Sequence, residues 1–165
     1  MPIEFDITLT PKDMYRFNMY QVYSGFHGWF SVMVSLLIFA VAGVTYGELD
    51  SMYTMLYIVF GIVFLFYMPV SLMLRSKHSI ASSEVLSHPL HYAVGEDGFT
   101  VTQNEASANL PWDQIYKMVA TKSNILVYSN RTNAYVIPRD QLGDKYGSVA
   151  KTACAKLPKY RVKMK

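Results

Sequence analysis

GWFSVMVSLLIFAVAGVTYG, residues 28–47, is followed after three residues by SMYTMLYIVFGIVFLFYMPVSLML, residues 51–74. These two stretches decide how the chain is read. The first holds no charge. Twenty residues of helix at about 1.5 Å each span roughly 30 Å, one bilayer core. Phe30, Val32, Val34, Leu36, Leu37, Ile38, Phe39, Val41 and Val44 lie in it. At roughly −0.3 to −0.6 kcal/mol apiece, they favour insertion by about 3 to 5 kcal/mol. The second stretch is longer, more apolar and equally uncharged, enough to span with some tilt. Between them, Glu48-Leu49-Asp50 admits only an antiparallel turn. A helical hairpin buried in a soluble protein is the alternative, but neither stretch shows a polar face. The expectation is a pair of transmembrane helices, 28–47 and 51–74, joined by an external turn at 48–50.

Composition agrees. Charged residues make up 16 % of the 165-residue chain and apolar residues 52 %, against roughly 25 % charged in a soluble domain. The deficit is local: from Gly28 to Leu74 the ionisable carboxylates are Glu48 and Asp50, and no Lys or Arg occurs. One cysteine, Cys154, cannot close an internal disulfide, which suits a reducing compartment. The first apolar run follows a polar, patterned segment and lacks a small-residue cleavage site, so an uncleaved anchor is expected.

Basic residues set the orientation. Lys12 and Arg16 precede the first apolar run, the link has none, and the other thirteen of fifteen follow the second. The positive-inside rule places both termini in the cytoplasm of a multi-pass membrane protein, and Glu48 and Asp50 outside. Trp29, with Phe26 and Phe30, marks the inner interface, and Tyr46 and Tyr53, with Tyr57, the outer one. Arg75 and Lys77 follow the second span at once. Lys156, Lys159, Arg161, Lys163 and Lys165 then form a basic tail, either solvated or held to anionic headgroups at about 1 kcal/mol per basic residue. Pro69 predicts a kink, because it frees the carbonyl of Leu65. Gly43 and Gly47 carry a weak G-x-x-x-G spacing. No ionisable residue stands mid-span, which argues against an ion or proton pathway carried by this chain alone.

Residues 1–27 read as a strand and an interfacial helix. Ile3 to Leu9 alternates apolar and polar with period two. Thr10 then stands as N-cap, Pro11 as the first helical residue and Asp13 as the acid of a capping box, with Leu9 and Met14 at the staple positions. The helix is expected over about 11–23. Residues 75–89 read as a linker.

From Leu90 onward, in residues 90–165, the pattern becomes a β-meander. Strands are expected at 90–94, 99–103, 107–112, 114–121, 125–128 and 134–137, the last ended by Pro138. A helix over about 140–157 carries an apolar stripe through Leu142, Tyr146, Val149, Ala150, Ala153, Cys154 and Leu157, which makes Cys154 a core residue rather than a nucleophile. A meander closed by one amphipathic helix resembles a pleckstrin-homology-like half-open barrel, an α+β cytoplasmic domain. The N-terminal strand is expected to add an edge to its sheet.

The segment Pro111-Trp112-Asp113-Gln114-Ile115-Tyr116-Lys117-Met118-Val119, continued by Ile125-Leu126-Val127-Tyr128 and Ala134-Tyr135-Val136-Ile137-Pro138-Arg139, resembles the C-terminal domain of the YcxB-like family of bacterial membrane proteins. The resemblance implies a small protein of the bacterial cytoplasmic membrane with a pleckstrin-like domain, and supplies no settled activity. Trp112 is read as a core anchor, the alternative being a ring at the domain–membrane seam. Lys117 and Arg139 are a candidate interaction surface, or a plain solvated face.

No catalytic constellation is found, and no cofactor or enzymatic activity is expected. His88-x-x-His91 is a weak metal pair with no carboxylate or cysteine in ligand spacing. His27 and His78 stand alone. No phosphate loop or nucleophile elbow occurs. Asn130-Arg131-Thr132 fits a glycosylation sequon but is read as a turn. Residues 75–165 lack a basic stripe, so nucleic acid is not an expected partner. The expected partners are the bilayer and a membrane protein or a second copy. The leading function is a membrane-anchored, non-enzymatic interaction or lipid-surface module. The alternatives are a protein of the bacteriocin-immunity or membrane-stress type, resting on analogy, and an accessory subunit of a transporter or membrane complex.

Overall fold

The computed structural model describes residues 2–104 and 106–164, with the backbone alone of His27. Two compact units divide the chain: Met1–Phe17 with Ser76–Lys165, and Asn18–Arg75. The first is a folded α+β domain, the second a pair of helices.

The folded domain begins with β1 (Ile3–Ile7), the strand that period-two alternation predicts. It pairs antiparallel with β2 (Leu90–Val94), which is followed by β3 (Gly98–Gln103) and β4 (Ala106–Pro111) in one sheet of order β1-β2-β3-β4. The predicted edge strand is therefore present, although more than eighty residues separate it from its neighbour. Register places matched residues side by side on the inner face: Ile3, Val94, Phe99 and Leu110 in one row, Phe5, Tyr92, Val101 and Ala108 in the next. Cross-strand neighbours of this kind are what stabilise a sheet. Phe5 stacks on Tyr92 with ring centres 5.6 Å apart. Gly98 permits the return of β4, since a Cβ there would lie 2.3 Å from the carbonyl oxygen of Leu110.

The second sheet has order β7-β6-β5-β8: β5 (Lys117–Ala120), β6 (Asn124–Tyr128) and β7 (Ala134–Pro138) form a meander, and β8 (Val162–Lys163) lies parallel to β5. Every residue of β6 is buried, so both of its faces are covered. Continuous apolarity rather than alternation is the mark of such a strand. The expected strand over 114–121 starts late, because Trp112–Gln114 forms a 3-10 turn. Trp112 leaves the third strand for that turn and is buried, its indole N–H donating to the Gly95 carbonyl at 3.2 Å and its ring edge-on to Phe99 at 5.2 Å. The core reading of Trp112 holds.

α1 (Pro11–Tyr23) starts as its sequence requires. The Asp13 carboxylate accepts from the Thr10 backbone N–H at 3.1 Å and hydroxyl at 2.5 Å, while the Asp13 N–H donates to the Thr10 hydroxyl at 3.3 Å. Both orphan donors are thereby satisfied. The helix lies along β6: Phe17 meets Tyr128 at 6.4 Å, and the Asn124 side-chain amide donates to the Asp13 carbonyl at 3.2 Å.

The C-terminal helix is broken where one was expected. α5 (Arg139–Leu142) and α6 (Lys145–Lys156) are separated at Gly143, whose φ of +50° suits a residue without Cβ. Together they close the free edge of β1. The Gln141 amide accepts from the Thr8 N–H and donates to the Thr8 carbonyl, both at 2.9 Å, and Lys145 Nζ donates to the Glu4 carbonyl at 2.7 Å. An open sheet edge is a liability that such cover removes. After the break, Leu142, Val149, Ala153 and Leu157 are buried, and Cys154 is exposed. The predicted core position of Cys154 is wrong: one residue, about 100° of turn, carries it past Ala153 off the buried stripe.

In the helical unit, α2 (Phe26–Val44) and α3 (Ser51–Ser82) run antiparallel. Ser31 Oγ donates to the Phe64 carbonyl at 2.7 Å and Ser35 Oγ to the Gly61 carbonyl at 2.8 Å. A Cβ on Gly61 would meet the Phe39 ring at 2.6 Å, so this glycine sets the close approach. Gly43 has no neighbouring atom within 4 Å, and Gly47, at φ +87°, shapes the turn. The G-x-x-x-G spacing is not a packing motif here. α2 ends at Val44 rather than residue 47. α3 passes through Pro69 and continues beyond Leu74 to Ser82, then α4 (Glu84–Ser87) follows. The stretch read as a linker is largely helical, because residues 75–82 hold no Gly or Pro to stop the helix. Among the described residues, one helix, α3, is long and apolar enough to cross a membrane.

Candidate functional site

The folded domain contains a cavity of about 560 Å³, within the range of roughly 300–1,000 Å³ usual for small-molecule sites. Its floor is the inner face of the first sheet, with Leu90, Tyr92 and Val101. Leu9, Met14 and Phe17 approach from the N-terminal segment, Val85 and Leu86 from α4, and Ala134 and Val136 from β7. The space exists because the rows of the first sheet end in small side chains. Phe5, Tyr92 and Val101 are followed across the sheet by Ala108, and Gln103 by Ala106. Both alanines are exposed to the cavity mouth, where a Leu or Phe would fill it.

None of the described lining residues carries a charge. Its polar groups come from Tyr92, Gln103, Ser107, Thr132, Asn133 and Tyr135. Gln103 is already used, its amide donating to the Val85 carbonyl at 2.8 Å and so tying β3 to α4. Tyr92, with a hydroxyl at the end of its ring, is 1 % exposed and lines the cavity. Burial pushes that hydroxyl far above the ordinary tyrosine range, and neighbouring Tyr135 adds to the rise. It stays a neutral O–H with a donor to give. Buried tyrosine hydroxyls ordinarily find a partner.

The charged candidates fall elsewhere. Lys117 lies over the Tyr128 ring at 4.3 Å, and Arg139 over Tyr146 at 4.0 Å while donating to the Thr121 carbonyl at 3.0 Å. Each braces its own strand junction. Arg161 donates to the carbonyls of Asp113 and Ile115, at 3.3 and 3.2 Å. Its neighbours fold with it: Lys159–Arg161 is a 3-10 turn and Val162–Lys163 is β8. The stretch read as a tail is thus part of the second sheet. Lys156, Lys159 and Lys163 remain exposed, as do Arg75 and Lys77 on α3, and Lys165 lies outside the described residues. Trp29, Tyr46 and Tyr53 are exposed on the helical unit, Trp29 with its indole N–H on the Tyr23 carbonyl at 3.2 Å.

The histidine pair is separated in use. His88 Nδ1 meets the Glu84 carbonyl at 2.9 Å and finishes α4, whereas His91 Nδ1 pairs with Asp6 at 2.7 Å across β1 and β2. Among the described residues no cluster of three metal-ligating side chains occurs. The cavity was not foreseen. Its signal, small alanines at inward positions of β4 and β7, becomes legible only once register assigns them to the inner face.

No curated protein and no solved structure matches the chain. A family model described as YcxB-like protein matches residues 94–146, and these contain all three quoted segments of the sequence resemblance. The match runs from the last residue of β2 to the start of α6, and over these residues the chain is similar to the YcxB-like family.

Proposed function

We propose that the chain is a membrane-anchored, non-enzymatic module of the bacterial cytoplasmic membrane, in which a two-span hairpin holds a pleckstrin-homology-like domain at the cytoplasmic face. The observation that carries this reading is the pairing of β1 with β2. These strands flank the helical unit in the chain, yet bond residue to residue in one sheet. Both ends of the helical unit therefore lie on the same side of any bilayer, and the number of crossings between them is even. If α3 crosses, a second crossing is required, and α2, nineteen residues without a carboxylate, Lys or Arg, is the segment that supplies it. Exposed side chains support the same view: Leu36, Leu37, Met55, Val59, Ile62, Phe66 and Leu74 all face outward, a surface far more apolar than water tolerates. The basic residues of the folded domain favour its placement in the cytoplasm. A four-stranded sheet, a three-stranded meander and a closing helix support the pleckstrin-like reading.

Cys154, exposed on the domain, serves as a built-in topology reporter. In intact cells a membrane-impermeant maleimide should modify a D50C variant and spare Cys154 until the membrane is opened. Labelling of Cys154 in intact cells, or protection of residue 50, would overturn the arrangement. For the surface role, flotation of the purified chain's domain face against anionic and neutral nanodiscs should show a preference for anionic lipid that K156Q/K159Q/K163Q removes.

A further inference from the structure

We infer that the cavity in the folded domain is a binding site for a neutral, single-chain amphiphile, which it holds by an alkyl body against the first sheet and by one hydrogen bond from Tyr92. This goes beyond anchoring, and stands on the folded domain alone.

Three observations define the ligand. The first is size. At roughly 30 Å³ per water-sized atom of liquid, 560 Å³ takes on the order of fifteen to twenty non-hydrogen atoms, the size of a medium-chain alcohol or monoacylglycerol rather than a two-chain phospholipid. The second is polarity. The described lining residues bear no charge, and an ionic headgroup taken into such a site would lose its hydration uncompensated. The third is Tyr92. It lines the cavity, and burial keeps its hydroxyl a neutral donor, one that an acceptor on a ligand would pair. A hydroxyl or ester oxygen on the ligand supplies that acceptor. Ala106 and Ala108, the small ends of the rows, line the cavity and are exposed, so a chain passing them leaves the buried core in place.

The probe is decan-1-ol carrying a diazirine in its chain, added to the full-length protein in lipid nanodiscs, with adducts mapped by peptide mass spectrometry. Expected are adducts on β2, β3, β4 or β7, competed by excess unlabelled neutral amphiphile and not by decyltrimethylammonium or ionised decanoate. Competition by monooctanoylglycerol assigns a membrane-derived ligand, and competition by decan-1-ol alone assigns a soluble one. Y92F keeps the ring and should lower domain labelling roughly three- to tenfold, the worth of one hydrogen bond. A108F fills the mouth and should abolish it, with labelling of α2 and α3 unchanged as the internal standard. If A108F fails to fold by circular dichroism, Y92F alone decides. Adducts confined to the helical unit, equal competition by the charged compounds, or domain labelling unchanged in Y92F would each overturn the assignment.

Discussion

The folded domain and the helical unit use the same apolar residue types in opposite ways. In the domain, Ile7, Phe99, Ile115, Ile125, Leu126 and Ile137 are almost wholly buried, and polar residues face out. In the helical unit, Phe30, Leu36, Val59, Phe64 and Phe66 face out, and the residues turned inward include Ser35, Ala42 and Thr54. Water drives apolar area together in the first case. In the second, the helices meet through small residues and hydrogen bonds such as Ser35 to Gly61, the pattern expected where lipid rather than water is the solvent. The contrast teaches that hydrophobicity alone does not define an interior. What surrounds the chain decides which residues count as the core.

That contrast can be broken most sharply in the domain. F99A removes a buried ring of β3 that packs edge-on to Trp112 and should cost about 3–5 kcal/mol, read as a lowered thermal midpoint of the domain. V59D comes next. On a water-exposed helix a surface substitution is usually within about 0.5 kcal/mol, whereas at a bilayer centre an aspartate costs roughly 2.5–3.5 kcal/mol. A fall in the carbonate-resistant membrane fraction is expected, and an unchanged fraction would place α3 in water. G61A forces a Cβ into the Phe39 ring and should weaken helix pairing by about 1–3 kcal/mol, seen as loss of a disulfide engineered between α2 and α3. The smallest effect belongs to T10A, which deletes the cap of α1 and should lower domain stability by about 1 kcal/mol in urea titration.

Much of this was legible beforehand, for local reasons. The capping box at Thr10 and Asp13 needs four residues of sequence and no distant neighbours. The strands around 90–94, 98–103 and 124–128 follow from alternation or continuous apolarity between turn residues. The uncharged runs announce themselves by length. Other readings failed where a distant contact had the deciding vote. Cys154 lies in the same helix as buried Val149 and Ala153 yet is exposed, because the width of the buried stripe is set by what packs against the helix and not by spacing alone. The basic C-terminal stretch looked like a free tail until Arg161 and β8 tied it to the Asp113–Ile115 turn and β5. The ring contacts of Lys117 with Tyr128 and of Arg139 with Tyr146 were likewise invisible in the sequence, because the partners lie in other elements.

By itself, the order of residues determined which segments avoid water, where helices start, and which strands are apolar on one face or both. Those properties depend on side-chain chemistry and on backbone periods of 3.6 and 2, which operate within a few neighbouring residues. Only the tertiary structure decided that β1 bonds to β2 across the whole helical insertion, that Tyr92 lines a cavity, and that Ala106, Ala108 and Ala134 line it too. Each of these is a matter of register between segments far apart in the chain, and a shift of one residue would turn every side chain of a strand to its other face.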